Sequence, residues 1–214
     1  MAPAGCVWAV LVVLLGCSSN EAEPEPPGDA GAEPEVCPAP TAGPTVHEGD
    51  VDGNEVWTAD TGPHIVSQNV NVRGGATLTI EPCAEVRVAA GKNLFVAYPG
   101  TPNEGTLIVE GTADKPILIT GQDGARWGAL VVHAPGTARL AHLTVENGGD
   151  NDSGRNATVE VRGDGENGAD VLLFVNRVMI RDSLGPGAYL RRGAAFMAGS
   201  EFLDITGSGD DATP

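Results

Sequence analysis

The sequence predicts an all-β domain of many short strands, set behind an N-terminal stretch that cannot build a core. Three observations carry this. From Val56 onward, apolar runs of a few residues are separated by turn residues, and none keeps a helical period. The chain holds 30 Gly and 16 Pro with only 4% aromatics, so Val, Leu, Ile, Thr and Ala supply the packable surface, a mixture that favours strands. The runs also repeat. Thr77-Leu78-Thr79-Ile80-Glu81 followed by Val86-Arg87-Val88 is echoed by Thr106-Leu107-Ile108-Val109-Glu110 followed by Ile117-Leu118-Ile119.

At the N-terminus, Val7 to Leu15 form an apolar run long enough for a signal-peptide core and well short of the ~20 residues a membrane span needs. The run closes on Leu14-Leu15-Gly16-Cys17, which resembles the bacterial lipobox. That resemblance implies a signal peptide at 1–16 and a lipidated mature N-terminus at Cys17. One departure stands: no Lys or Arg occurs before Arg73, so the positive end is only the amino group of Met1, or the true start lies upstream. Ser18, rather than Asp, follows the cysteine. In enteric-type sorting this resembles an outer-membrane destination, so the expectation is a lipid-anchored protein of a Gram-negative bacterium, facing the periplasm or the cell surface. The bland alternative is a buried strand with an ordinary cysteine, which the acidic, Pro-rich stretch beyond is unsuited to cover.

Residues 17–44 read as an acidic tether. Glu21, Glu23, Glu25, Asp29, Glu33 and Glu35 meet no basic residue, seven prolines fall between Ser18 and Pro44, and Val36 is the only branched aliphatic. Such a segment stays extended, at about 3.1 Å per residue where it is polyproline-II. With Cys6 lost in the signal and Cys17 lipidated, Cys37 and Cys83 remain as a pair that an exported compartment would oxidise. The alternative is two separate thiols. The net charge of -17 excludes a nucleic-acid partner, because a polyanion would meet repulsion in place of counterion release.

Residues 45–214 are the folding region. Its candidate strands are Ile65 to Val72, Thr77 to Ile80, Glu85 to Val88, Asn93 to Val96, Thr106 to Val109, Ile117 to Thr120, Ala129 to Val132, Leu140 to Val145, Val159 to Val161, Leu172 to Ile180 and Phe202 to Ile205. Leu143-Thr144-Val145-Glu146-Asn147 and Val178-Met179-Ile180-Arg181-Asp182 share a shape in which a strand ends on Asn or Asp, residues that tolerate left-handed corners. Periodicity alone leaves a β-sandwich and a β-solenoid both open. The set Gly75-Ala76-Thr77-Leu78-Thr79-Ile80-Glu81-Pro82, Gly105 to Ile117 and Trp127-Gly128-Ala129-Leu130 resembles the N-terminal part of right-handed parallel β-helix lipoproteins of Gram-negative bacteria, over roughly Val56 to Gly149. The resemblance implies a pectin-lyase-like solenoid with three short strands per coil. Coils near twenty residues then stack about 4.8 Å apart, about seven in all. Val46 to Pro63 is the expected N-terminal cap. The other end, running out in Gly209-Asp210-Asp211-Ala212-Thr213-Pro214, shows none, which implies fraying or truncation.

Chemistry is sparse in the residues. Paired carboxylates or a calcium-bound acid with an Arg or Lys base would serve sugar cleavage. Asp210-Asp211 resembles the paired-Asp motif of polygalacturonase-type hydrolases, but the companion Asn-x-Asp, Gly-His-Gly and Arg-x-Lys elements are missing. Arg181-Asp182 and Arg191-Arg192 suit outward positions better than lyase roles. Asp50-Val51-Asp52-Gly53-Asn54, Asp150-Asn151-Asp152-Ser153-Gly154 and Asp164-Gly165-Glu166-Asn167 each offer hard oxygens, yet none completes an EF-hand, so Asx-rich turns are the simpler reading. Arg162-Gly163-Asp164 spells a chance tripeptide, Asn156-Ala157-Thr158 is a sequon without matching machinery, and His47, His64, His133 and His142 are scattered singly. No catalytic residue, metal site or cofactor is expected. The function expected is a non-catalytic, lipid-anchored binding or structural scaffold, with polysaccharide or an envelope protein as partner. A polysaccharide lyase or glycoside hydrolase of the same superfamily is the alternative.

Overall fold

The computed structural model describes residues 37–100, 104–151, 156–163, 171–192 and 194–202. Cys17, residues 1–16 read as a signal peptide, Asp164 to Asn167, Asp210 and Asp211 lie outside them. Every pairing in the described residues is parallel, and strands join in three stacks. The first sheet stacks β1 (Thr45–His47), β3 (His64–Val66), β6 (Glu85–Val88), β9 (Ile117–Gly121), the second half of β11 (Thr137–Glu146), the second half of β13 (Val171–Arg181) and β16 (Glu201–Phe202). The second stacks β4 (Val70–Val72), β7 (Leu94–Val96), β10 (Leu130–His133), β12 (Val159–Arg162) and β14 (Ala188–Arg191), headed by a single bridge from Val51 to Val72. The third stacks β2 (Glu55–Trp57), β5 (Ala76–Ile80), β8 (Gly105–Glu110), the first halves of β11 and β13, and β15 (Ala194–Ala198). The chain visits the three sheets in rotation. Over the described residues it completes six coils and begins a seventh at β16, a parallel β-helix; the coils are not all near twenty residues, since Thr45 stands 19 residues before its partner His64 and Glu146 stands 35 before Arg181.

Alternation along each strand explains the stack. In β5, Ala76, Leu78 and Ile80 are buried while Thr77 and Thr79 look outward. The repeated motif noted in the sequence is one coil lying on the next: Thr77 pairs with Thr106, Leu78 with Leu107 and Ile80 with Val109. The column continues inward through Ala138 and Leu173, so like side chains pack on like along the axis. Close approach between coils also selects glycine, since a Cβ on Gly105 would stand 2.1 Å from the Val72 carbonyl oxygen.

Corners differ from the sequence reading in two places. Ile65 to Val72 is not one strand, because Ser67-Gln68-Asn69 turns the chain between β3 and β4. Conversely, β11 and β13 each run through a corner and serve two sheets. A single residue with positive φ makes each bend, His142 (46°) in β11 and Arg177 (54°) in β13, so the ladder resumes on the far side after one skipped pair. The shared Asn and Asp ends behave as read: Asn147 (φ 61°) and Asp182 (φ 54°) both occupy the left-handed region.

Val46 to Pro63 is less a separate cap than the first coil itself, since β1 and β2 join the first and third sheets. What covers the open end is aromatic. His47 lies over Trp57 with ring centroids 4.0 Å apart, and the buried Trp57 and His64 stack at 5.2 Å. The Thr58 carbonyl only accepts, so His64 Nε2 donates to it (2.9 Å) and His64 Nδ1 accepts from His47 Nε2 (3.0 Å). Both titrate below the ordinary 6.5, so both rings are neutral near pH 7. Burial, with a smaller push from His64, brings His47 down to about 4, and burial lowers His64 as well. These two histidines, read as solitary, are partners because one coil brings position 45 opposite position 64. Outside this lid, Cys37 and Cys83 form a disulfide, and the Thr41 and Ala42 amides donate to the Asp60 carbonyl. Closing a span of 46 residues is worth about 4 kcal/mol in the chain-entropy model.

Candidate ligand-binding cleft

The outward face of the second sheet carries a cleft of about 340 Å³ near the N-terminal end of the stack. Its floor is set by register: Asn71 in the middle of β4 lies beside Phe95 in the middle of β7, while their neighbours Val70, Val72, Leu94 and Val96 face the core. The turn before β4 adds Asn69, and the first coil adds Asp50, just ahead of the bridge residue Val51; the turns after β4 and β7 add Arg73, Tyr98 and Pro99. Tyr98 is 47% exposed and tilts against Phe95 at 4.6 Å, so an aromatic pair forms one wall. Ala97 adopts positive φ (56°), which turns the chain at the end of β7 and sets Tyr98 beyond it.

The polar lining has a definite orientation. Asn69 Oδ1 accepts the backbone N–H of Asn93 (2.8 Å), and Asn71 Oδ1 accepts that of Tyr98 (2.9 Å). Asn93 repeats the pattern one coil on, accepting the Ala129 amide (2.9 Å), and a Cβ on Gly128 would collide with its Oδ1 at 2.2 Å. Because the oxygens are engaged, the Nδ2 groups of Asn69 and Asn71 are committed as donors. Neither reaches an acceptor among the described residues at close range; Asn69 Oδ1 also takes a long 3.5 Å contact from Asn93 Nδ2.

Arg73 is the cation of the cleft, and it is spoken for. Its guanidinium bonds Asp50 (2.9 Å) and Asp52 (2.6 Å), while Asp50 Oδ1 accepts the Asn71 amide (3.1 Å). The hydrogen bond from Arg73 holds Asp52 below the usual carboxylate range, and Asp52 in turn raises Arg73. The first calcium candidate is thereby accounted for: three oxygens of its two carboxylates hold a guanidinium, and Asn54 Oδ1 accepts the Thr77 amide (2.9 Å). Beneath Tyr98 lies His133, edge-on at 5.4 Å and buried, its Nε2 without a partner among the described residues. Burial, then the Arg162 charge, bring it down to about 4, so it stands neutral behind the wall.

Over residues 50–165 the chain matches the family described as pectate-lyase like beta helix domain. The chain belongs to that family. No curated protein and no solved structure matches it significantly. The matched span of this β-helix member holds all the cleft residues just named.

Other candidates fall elsewhere. Arg181 is paired with Glu146 (2.7 Å), and the Asp182 carbonyl accepts from Arg126. Arg162 holds Glu160, and Thr158 of the sequon is buried against Ser183 (2.6 Å). Asn151 donates to Glu160 (3.1 Å) and the Asp150 amide to the Trp127 carbonyl (2.9 Å); residues 152–154 of that acidic loop lie outside the described residues. Among the described residues no group of three or more His, Cys, Asp or Glu is placed to hold a metal ion. The sequence reading missed Asn69, Asn71, Phe95 and Tyr98. Laying Val70-Asn71-Val72 on Leu94-Phe95-Val96 was the signal that pairs their outward residues.

Proposed function

We propose that the chain is a non-catalytic, glycan-binding module of the cell envelope, held at the outer membrane through lipid on Cys17, with its ligand site in the cleft of the second sheet. The observation that carries this is the pair of oriented Asn69 and Asn71 Nδ2 donors set beside the exposed Tyr98. A sugar ring laid against Tyr98 covers flat apolar surface, while its hydroxyls accept from the two amides. The volume, at the lower end of the ~300–1,000 Å³ of small-molecule clefts, suits a short stretch of oligosaccharide. The acidic, proline-rich segment then serves as the spacer between lipid and site.

The enzyme reading finds less support in this cleft. Hydrolysis asks for a carboxylic acid with a raised pKa beside a second carboxylate, whereas Asp50 and Asp52 are both bound to Arg73 and Asp52 is lowered. Arg73, raised by the same pair, is no base. The test is a glycan array probed with the full chain carrying Cys17→Ser. Binding that Tyr98→Ala lowers at least tenfold supports the reading. Sugar cleavage with release of reducing ends or unsaturated products refutes it.

A further inference from the structure

Resting on that reading, we infer that the cleft selects uncharged sugar rings and turns away uronates and other acidic glycans. The reason is the charge balance around Arg73. A free arginine is a fork for a carboxylate, with donors in a fixed geometry that two oxygens can match. Here the fork is already filled. Nη1 meets Asp50 at 2.9 Å, and Nε and Nη2 meet Asp52 at 2.6 and 3.2 Å. One cation against two carboxylates leaves this end of the cleft with an excess negative charge, and Arg73 is the only basic residue in its lining among the described residues. An incoming uronate therefore meets Asp50 and Asp52 as like charges and finds no unpaired cation to receive it. The protein's net charge of -17 adds repulsion at longer range.

What the lining offers instead is neutral donors and an aromatic face. The Nδ2 groups of Asn69 and Asn71 are suited to hydroxyl or acetamido oxygens. The carboxylate oxygens of Asp50 keep lone pairs for a hydroxyl hydrogen. A site built to pair hydroxyl groups in this way discriminates strongly, because a ligand that cannot match them leaves polar groups unpaired. Selectivity is thus assigned to Asp50 and Asp52, and affinity to Tyr98 and the two asparagines.

The experiment is calorimetric titration of the full Cys17→Ser chain with neutral oligosaccharides (glucan, mannan and chitin series) and with oligogalacturonate and oligoalginate of matched length. The expected result is binding of at least one neutral series, with both acidic series at least tenfold weaker and strengthening as salt rises, since salt screens repulsion. In Asp50→Asn, Asp52→Asn the amide oxygen at position 50 still accepts the Asn71 N–H, and Arg73 is freed. That variant is expected to gain at least tenfold for oligogalacturonate, a gain that added salt erases. Arg73→Gln is expected to gain nothing for the acidic series. Acidic oligomers bound by the parent chain as tightly as neutral ones overturn the selectivity and leave glycan binding standing. No binding of either class overturns both. A folded double variant without gain for uronate overturns the role of the aspartates. If that variant fails to fold, the salt series on the parent chain decides, because acidic binding that weakens with salt means attraction and refutes the inference.

Discussion

Two halves of one sheet face have opposite fates. On the outward face of the second sheet, Asn71 and Phe95 line an open cleft, yet Val131 and Glu160, next in the same register column, are 2% and 0% exposed. The difference is turn length. Only Ser67-Gln68-Asn69 separates β3 from β4, whereas residues 147–158 separate β11 from β12, and the described part of that longer turn bonds back to Gly128 and Trp127 through the amides of Gly149 and Asp150. Asn151 then caps Glu160 directly. A β-helix keeps its core fixed and decides site by site, through its corners, which outward residues meet solvent. The same residue types consequently do different work. Glu160 with Arg162 is a structural pair whose carboxylate is fully buried, and Asp52 with Arg73 is a solvated one.

The largest effect expected from this contrast is at Glu160. Replacing it with Ala leaves Arg162 and Asn151 without their buried acceptor and is expected to cost about 3 kcal/mol, the lower end for a broken buried pair because Arg162 keeps part of its water. Urea denaturation of Glu160→Ala against the parent chain checks this. A midpoint unchanged within error would mean the covered half carries no more stability than the open one.

His133 sits at the boundary, touching Tyr98 on the open side and feeling Arg162 and Glu160 on the covered side. Its folded pKa of about 4 lies below the ordinary 6.5, so between those values the unfolded chain binds the proton and the folded one does not. Stability is unaffected above pH 6.5 and falls as pH drops toward 4, by roughly 2–3 kcal/mol for this residue. His133→Phe is expected to remove that share of the acid sensitivity and keep the share owed to His47, which is also lowered to about 4. Thermal melts of both chains at pH 7, 5.5 and 4.5 measure it; parallel pH curves would show that His133 is not the group involved.

How much of this was readable beforehand follows from the geometry. The strand columns were, because Thr77 to Ile80 and Thr106 to Val109 repeat the same inward and outward alternation and lie one on the other. The Cys37–Cys83 link was, once two cysteines were set aside. The corners in β11 and β13 were not, since His142 and Arg177 have side chains that give no sign of a left-handed backbone. Nor was the cleft. Asp50, Asn71, Phe95 and Tyr98 come from turns and strands of successive coils, and coil spacing here is irregular: the Val46 column continues through Ile65, Arg87 and Thr120. A reader of the sequence sees outward residues but lacks the register that makes them neighbours.

Tyr98→Ala is expected to do little to stability, since nearly half of the side chain already meets water, while it removes the wall that a sugar ring would cover. A fall in the melting temperature as large as that of Glu160→Ala would instead make Tyr98 a structural residue, and the open half would no longer differ from the covered one.

The smallest effect expected is at Asp52. Its carboxylate makes two bonds to Arg73, at 2.6 and 3.2 Å, a geometry that on paper rivals the Glu160 pair. The surroundings decide otherwise. Asp52 is 62% exposed and Arg73 37%, so water replaces most of what the pair supplies, and ordering two side chains offsets the remainder. Asp50 also stays in place to hold the guanidinium in the single variant. Asp52→Asn is therefore expected to leave the urea midpoint within experimental scatter, at both low and high salt. A clear, salt-sensitive loss would show that the acidic corner holds the first coils together. It would then be part of the framework, like Glu160, and the division of labour between the two halves would fail at its most exposed point.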